Sequence, residues 1–358
     1  MAQPTDNIFD IIILGQGLAG SLLAWELAGR GRHVLVLDDE SPNAASRVAA
    51  GLVNAVTGPR LALTPDADRL LATMRRTISG IETRFGASLF HPLPLIRRFE
   101  SERMLDYWRR RIQDPAYANH LDHRTLSPSA VAPVEAPLGG FCQYQTGWLD
   151  CAGLIRLLGD WLEARGCLRR EGIRHDGIRV GADDVRIGAL RARTLIFCEG
   201  YRLADNPWFD WLPLQPAKGE ILTLQADHDL PRRIFSAGRW LVPLEQNRFR
   251  FGATYSWHRI DEEPTNDGKA ALRIDLAERF PSLADAVLIN HRAGVRPGTR
   301  DRQPFLGRHP CCRQLGIFNG FGSKGSLMIP WYAERFSDFL LGDKPLPKGA
   351  DIARFPRL

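Results

Sequence analysis

Apolar positions follow two periods along this chain, and each predicts a different kind of element. Ile11 to Leu14 form an unbroken apolar run. A strand with one wet face would alternate, so a run with no polar side predicts a parallel strand buried on both faces. Gly15, Gly17 and Gly20 follow and open a helix at Leu18, on which Gly20, Ala24 and Ala28 keep one face small at every fourth residue. Gly31 predicts the end of that helix, since glycine closes a helix in the left-handed conformation at little cost. "HVLVL" then predicts a second buried strand, stopping at Asp38. Between residues 216 and 256 the period changes. There "EILTLQ", "RWLVPL" and "RFRFGATY" read as short strands separated by turn residues, a meander and not another strand-helix-strand unit. Near the carboxyl end, a short strand around Ile317 and Phe318 leads through Gly320, Gly322 and Gly325 into a helix from about Ser326 to Leu341.

The first of these units carries chemistry. In its GxGxxG turn, Gly15 permits the tight bend, Gly17 lets backbone approach a pyrophosphate, and Gly20 lets the helix close on the sheet. Asp38, 23 residues after Gly15, is placed to accept hydrogen bonds from a ribose, and its charge would repel a 2'-phosphate. Strand, glycines, small-faced helix, second strand and terminal acid together imply adenine dinucleotide binding. They serve NAD and FAD equally. "SRVAAGLVNAVTGPR", residues 46 to 60, is small and glycine-bearing, and suits backbone lying against a flat ligand as well as an ordinary loop. The later glycine-to-helix junction offers free N–H groups and partial positive charge, which would favour the negative N1–C2 carbonyl edge of a reduced flavin.

Composition narrows the class less. The chain has 358 residues, 44% hydrophobic and 25% charged, as expected of a globular protein of two domains. Its net charge of +6 is a small excess. The arginine groups 75–76, 97–98, 109–111 and 232–233 are scattered among acids, which reads as solvated faces and argues against a nucleic-acid stripe. Six cysteines show no metal-ligand or CxxC spacing. "MAQPTDNIFD" lacks a basic signal region and no apolar run is long enough to span a membrane, so the expected location is cytoplasmic.

Several blocks carry a family resemblance: "GQGLAGSLLAWELAGRGRHVLVLD", "AAGL" at 49–52, "TGWLD" at 146–150, "FCEG" at 197–200, "PAKGE" at 216–220, "AGVRPGTRDRQPFLGRHP" at 293–310 and "NGFGSKGSLMIP". In this order the chain resembles the D-amino acid oxidase superfamily of FAD enzymes, and most the glycine oxidase and sarcosine oxidase branch. The resemblance implies an α/β (α+β overall) fold: a Rossmann-like FAD-binding domain of the glutathione reductase type 2 kind with an inserted antiparallel-sheet substrate domain. The FAD domain would take 1–80, 141–215 and 291–358, and the substrate domain 81–140 and 216–290. It also implies hydride transfer from a C–H beside an amine to flavin N5, followed by hydrolysis of the imine.

Placed on this sequence, the resemblance puts the pyrophosphate on Gly15, Gly17, Leu18, Ala19 and Gly20, and the adenosine ribose on Asp38. Ala50, Gly51 and Leu52 would approach the flavin ring, Ile173 would lie on a strand contacting adenine, and Gly200 would lie near the dinucleotide. Gly322, Ser323, Lys324 and Gly325 would face the pyrimidine edge. Arg296 matches the arginine that grips a substrate carboxylate; the alternative for it is a structural pair with Asp301. Arg300, Arg302 and Arg308 read as solvated, and His258 and His309 as surface or structural residues. Trp240 stands where similar glycine oxidases carry tyrosine, which puts glycine itself in question as substrate, and Ser323–Lys324 stands where they carry an arginine near the substrate, so that Lys324 would contact flavin or substrate or else be exposed. "RPGTRDRQPFLG" lacks the cysteine that tethers flavin in sarcosine oxidases, so non-covalent FAD is expected. The implied partners are an amino acid or amine and an electron acceptor, oxygen or another; a homo-oligomer is left open. Two alternatives are a domain that trims a carboxymethylaminomethyl group from modified tRNA uridine, and a flavin-binding protein without turnover.

Overall fold

The computed structural model describes residues 8–342 and 344–355. The opening residues on which the leader and location reading rests, up to Asn7, lie outside that range. Packing divides the chain into two compact units. The first draws on the segments Met1–Arg47, Cys151–Ala217 and Val295–Leu358, the second on Val48–Asp150 and Lys218–Gly294. Residues 48–80, 141–150 and 291–294, expected with the dinucleotide domain, thus group with the second unit, and 216–217, expected with the substrate domain, with the first.

The first unit is built on a mixed sheet with a parallel centre. Strand Phe9–Leu14 lies between Val34–Asp38 and Leu190–Phe197, parallel to both. Leu168–Arg170 adds to the free side of Val34–Asp38. Strand Leu190–Phe197 pairs in its first half with the antiparallel strand Val185–Ile187 and in its second half with Leu315–Asn319, which runs parallel. Ile12, Ile13, Leu35 and Val36 are fully buried, as expected for strands covered on both faces. Helix Leu18–Gly29 packs on helices Cys151–Glu163 and Gly325–Gly342. Ile173 is not on a strand: Leu168–Arg170 ends before it, and the residue packs instead against the core from a loop.

The second unit centres on an eight-stranded sheet. Its order is Val287–Arg296, Ala217–Gln225, Arg248–Gly252, Arg239–Pro243, Ile234–Ala237, Leu95–Arg98, Gly140–Gln143, Leu121–Leu126. Helix Asn266–Arg279 closes one face, where Leu272, Leu276 and Phe280 cluster with Leu222, Phe235, Leu241 and Phe251. The expected meander is only partly present. "EILTLQ" and "RWLVPL" are not neighbours; both flank "RFRFG". Strand Ile234–Ala237 escaped the sequence reading and pairs in parallel with Leu95–Arg98. The connection 226–233 is longer than a tight hairpin loop, so nothing local forces the strands on either side of it together. The Arg97–Arg98 pair is also no solvated face: the strand alternates the two side chains to opposite sides, and both are half-buried.

Candidate active site

In the first unit, the three glycines of the opening turn answer to different neighbours. Gly15 holds φ +100°, and a Cβ there would lie 2.6 Å from the Cys198 carbonyl oxygen. A Cβ on Gly20 would lie 1.9 Å from the Gly15 carbonyl oxygen. Both are required by the protein's own packing. At Gly17 a Cβ would meet only the Ser46 side chain, at 3.3 Å, so backbone is open to something else. The Gln16 N–H donates to Asp38 Oδ1 at 2.7 Å, and the Leu18 N–H donates to Ser46 Oγ at 3.1 Å. Asp38 also accepts from the Glu40 N–H, and the Arg47 guanidinium is 3.7 Å away. Burial nevertheless raises the Asp38 pKa above its ordinary value.

The carboxyl-terminal glycines bring a second helix start to the same place. Gly320 and Gly322 both have positive φ, and the Gly322 N–H donates to the Pro297 carbonyl at 3.0 Å. Asn319 Nδ2 donates to the Gly200 carbonyl, which ties this turn to the end of strand Leu190–Phe197. A Cβ on Gly325 would lie 3.9 Å from Leu18 Cδ2, so the first turns of helices Leu18–Gly29 and Gly325–Gly342 adjoin. Lys324 sits just before the second of them. Burial, and then Arg302, lower its pKa. Adjoining helix starts, an open glycine, an accepting carboxylate at a strand end and a half-buried lysine form a set of groups that fits a pyrophosphate-bearing dinucleotide with an anionic ring edge.

Arg296 ends strand Val287–Arg296, immediately before Pro297 and its bond from Gly322. Asp301, its alternative structural partner, is held by Arg354 at 2.8 Å. Arg300 and Arg302 are exposed, and Arg308 donates to the Arg313 carbonyl. His309 Nδ1 accepts from the backbone of Cys311 and Cys312, a structural role, and His258 is exposed. Sequence reasoning missed a polar clasp: His175 Nε2 lies 2.7 Å from Glu199 Oε1, and Asn206 Nδ2 donates to Glu199 Oε2. It joins the loop of Ile173 to the turn of Gly200.

In the second unit, Ala50, Leu52, Trp148 and Trp240 belong to one cluster with Leu95, Ile221 and Val242. Gly51 has φ +72°, and a Cβ there would lie 1.8 Å from the Leu149 carbonyl oxygen, so packing of strand Gly147–Leu149 already demands glycine. Trp148 stacks on His91, with centroids 4.1 Å apart. Neither was singled out as a site residue; the aromatic within "TGWLD" was the available signal.

A family model described as FAD dependent oxidoreductase (DAO) matches residues 10–339. The chain is 27% identical over 361 residues to the bifunctional protein ThiO/ThiG of Synechocystis, covering 94% of this chain and 52% of that one. It is 26% identical over 362 residues to the tRNA 5-methylaminomethyl-2-thiouridine biosynthesis bifunctional protein MnmC of Marinobacter nauticus, covering 94% and 56%. The chain spans about half the length of the first curated relatives it matches. Among solved structures, glycine oxidase from Geobacillus kaustophilus superposes with a TM-score of 0.81 at 23% identity, covering 97% of both chains. Among the described residues, no helix is long and apolar enough to cross a membrane.

Proposed function

Because the chain belongs to the DAO family of FAD-dependent oxidoreductases, we propose that it oxidises the C–N bond of an amino acid or related amine. FAD, when bound, would supply the redox chemistry by accepting a hydride from the carbon beside the amine as the amine releases a proton; water would hydrolyse the imine product, and oxygen or another two-electron acceptor would take the electrons onward.

The chain's own residues bind and orient. In this reading the first unit is the FAD-binding domain and the second the substrate domain. Gly17, Leu18 and Ala19 present the helix start to the pyrophosphate, with Gly15, Gly20 and Gly200 shaping the turn. Asp38 accepts hydrogen bonds from the ribose. Ser323 and Gly325 would present N–H groups and Lys324 cationic charge to the pyrimidine edge, with Gly322 shaping the turn through its bond to Pro297, and Ala50, Gly51 and Leu52 are the residues that would contact the ring. Arg296 holds the substrate carboxylate through two parallel hydrogen bonds, which fixes the amine's Cα. Trp240 supplies an apolar wall with one donor. The observation that carries this reading is the adjoining pair of helix starts beside the open backbone of Gly17. No cysteine occurs in residues 296–307, which supports non-covalent attachment.

Purified protein is expected to be yellow and to release its flavin on acid precipitation. Anaerobic mixing with glycine, sarcosine, proline and D-amino acids is expected to bleach it. A colourless protein whose spectrum does not respond to added FAD sinks the reading. A second reading, removal of a substituent from modified tRNA uridine, draws support from the similarity to the Marinobacter protein over 94% of this chain. Bleaching by modified tRNA and by no free amine selects it.

A further inference from the structure

One face of the large sheet in the second unit is closed by helix Asn266–Arg279, and its arginines are neutralised. Arg239 donates to Asp275 at 2.7 Å, and Arg98 grips Glu100 with two bonds of 2.9 Å. The opposite face is different. Trp240, Ser236, Arg97 and Phe141 stand side by side across four strands in direct register. Registered neighbours share a face, and adjacent strands are about 4.8 Å apart, so Arg97 lies roughly 10 Å from Trp240 at the backbone.

Arg97 has no carboxylate partner among the described residues. Its guanidinium donates to the Gly58 carbonyl at 2.8 Å, and burial pushes its pKa down to about 10. On strands Ala217–Gln225, Ile234–Ala237, Arg239–Pro243, Arg248–Gly252, Leu95–Arg98 and Gly140–Gln143, every position on this face is apolar, neutral or basic. Arg250, also on it, donates to the Ala49 carbonyl and lies over Trp148, again with no acid.

A second observation points the same way. Gln143 is 1% exposed, and both polar atoms of its amide lack a hydrogen-bond partner. It stands two residues from Phe141, diagonal to Arg97 on the same face, a separation of about 7–8 Å between backbones. A buried amide with nothing to bind is costly, the Arg97 guanidinium bonds a neutral carbonyl with only the more distant Glu100 charge acting on it, and one anionic ligand group satisfies both.

We propose that Arg97 and Gln143 form a subsite for a second carboxylate, so that the preferred substrate is an amine bearing two carboxylates. Arg97 supplies charge and paired donors, and Gln143 one amide N–H. This rests on the reading above, in which Trp240 borders the substrate.

The test uses the FAD-loaded protein. Flavin reduction is measured with paired amines, glycine against iminodiacetate and D-alanine against D-aspartate. Spectral titrations with the non-oxidisable anions glutarate and butyrate run alongside. Wild type is expected to prefer the dicarboxylate of each pair, and glutarate to perturb the flavin spectrum at lower concentration than butyrate. Arg97→Met is expected to cut the dicarboxylate-to-monocarboxylate ratio of kcat/KM about tenfold, as for loss of a charge-assisted pair. Gln143→Leu removes an amide without a partner, so it is expected to melt no lower than wild type while also reducing that ratio. It remains readable if Arg97→Met folds poorly. Ratios unchanged in Gln143→Leu and in any folded Arg97→Met overturn the subsite. No bleaching by any amine, with a glutarate effect that Gln143→Leu weakens, overturns the amine reading and leaves the subsite standing.

Discussion

Gly17 and Gly20 stand three residues apart in one turn and separate packing from ligand. A methyl on Gly20 would enter the Gly15 carbonyl at 1.9 Å, whereas a methyl on Gly17 would meet only Ser46 Oγ at 3.3 Å. Gly20→Ala is therefore expected to destabilise the FAD-free protein by about 1–3 kcal/mol, the usual cost of overpacking. Gly17→Ala, which asks only the Ser46 side chain to shift by a few tenths of an ångström, is expected to cost the FAD-free protein clearly less than Gly20→Ala yet to bind FAD more weakly. Thermal melts with and without flavin separate the two, and equal behaviour contradicts the division. For Arg296, whose alternative partner Asp301 is held by Arg354, methionine is expected to leave FAD content intact and weaken substrate capture by about 2 kcal/mol, roughly thirtyfold. Kinetics identical to wild type would make the residue structural. Gly20 and Asp38 were legible in the sequence because what surrounds them, the Gly15 carbonyl and the Gln16 N–H, lies within one short unit, whereas Gly15 was legible only by its motif, since the Cys198 carbonyl that excludes a side chain there comes from the end of a distant strand. Gly51 was legible as a glycine but not in its reason, since the Leu149 carbonyl that excludes a side chain arrives from a distant strand. Arg97 and Arg98 were misread because a doublet of arginines looks solvated until a strand within a sheet sends one to each face and half-buries both.

At the scale of elements, buried parallel strands and glycine-to-helix junctions were readable from local period alone. Pairing order was not. Strand Ile234–Ala237 is four residues long and follows a connection too long to dictate a hairpin, so its parallel partner Leu95–Arg98 comes from tertiary packing. The loop after Leu168–Arg170 shows the same limit, because what fixes it is the clasp of His175 on Glu199. The Glu199 hydrogen bond raises the His175 pKa above 6.5. The folded protein then holds this proton more tightly than the unfolded chain. The stabilisation is fully present below about pH 6.5 and is lost as pH rises through the folded value. Thermal melts between about pH 6 and pH 9 are expected to show this loss in wild type. In His175→Gln, which keeps a hydrogen bond and cannot titrate, that part of the slope is expected to disappear. An unchanged slope would mean that the clasp does not contribute.

For the whole molecule, the first unit is drawn from three separated chain segments. Its central strands Phe9–Leu14, Leu190–Phe197 and Leu315–Asn319 come one from each, so closing its sheet orders distant parts of the chain at once. The proposed FAD contacts are distributed the same way: Gly17 and Asp38 in the first segment, Gly200 in the second, Lys324 in the third. A ligand that bridges all three binds only when they are assembled, and none survives as a site in the unfolded chain. Its stabilisation should then follow mass action, about 2.7 kcal/mol at a free concentration one hundred times Kd. For a chain of 358 residues that is a rise in Tm of roughly 3–4 °C, growing with the logarithm of added FAD. NADP is expected to give no such rise, because the Asp38 carboxylate stands where a 2'-phosphate would bring like charge. Acidification is expected to weaken the FAD effect, beginning above pH 3.8, since burial raises the Asp38 pKa and the protonated acid is a poorer acceptor for ribose hydroxyls. A Tm that does not respond to FAD in protein stripped of flavin would show that these three segments do not converge on one dinucleotide. A response to NADP equal to that for FAD would remove Asp38 from the ribose.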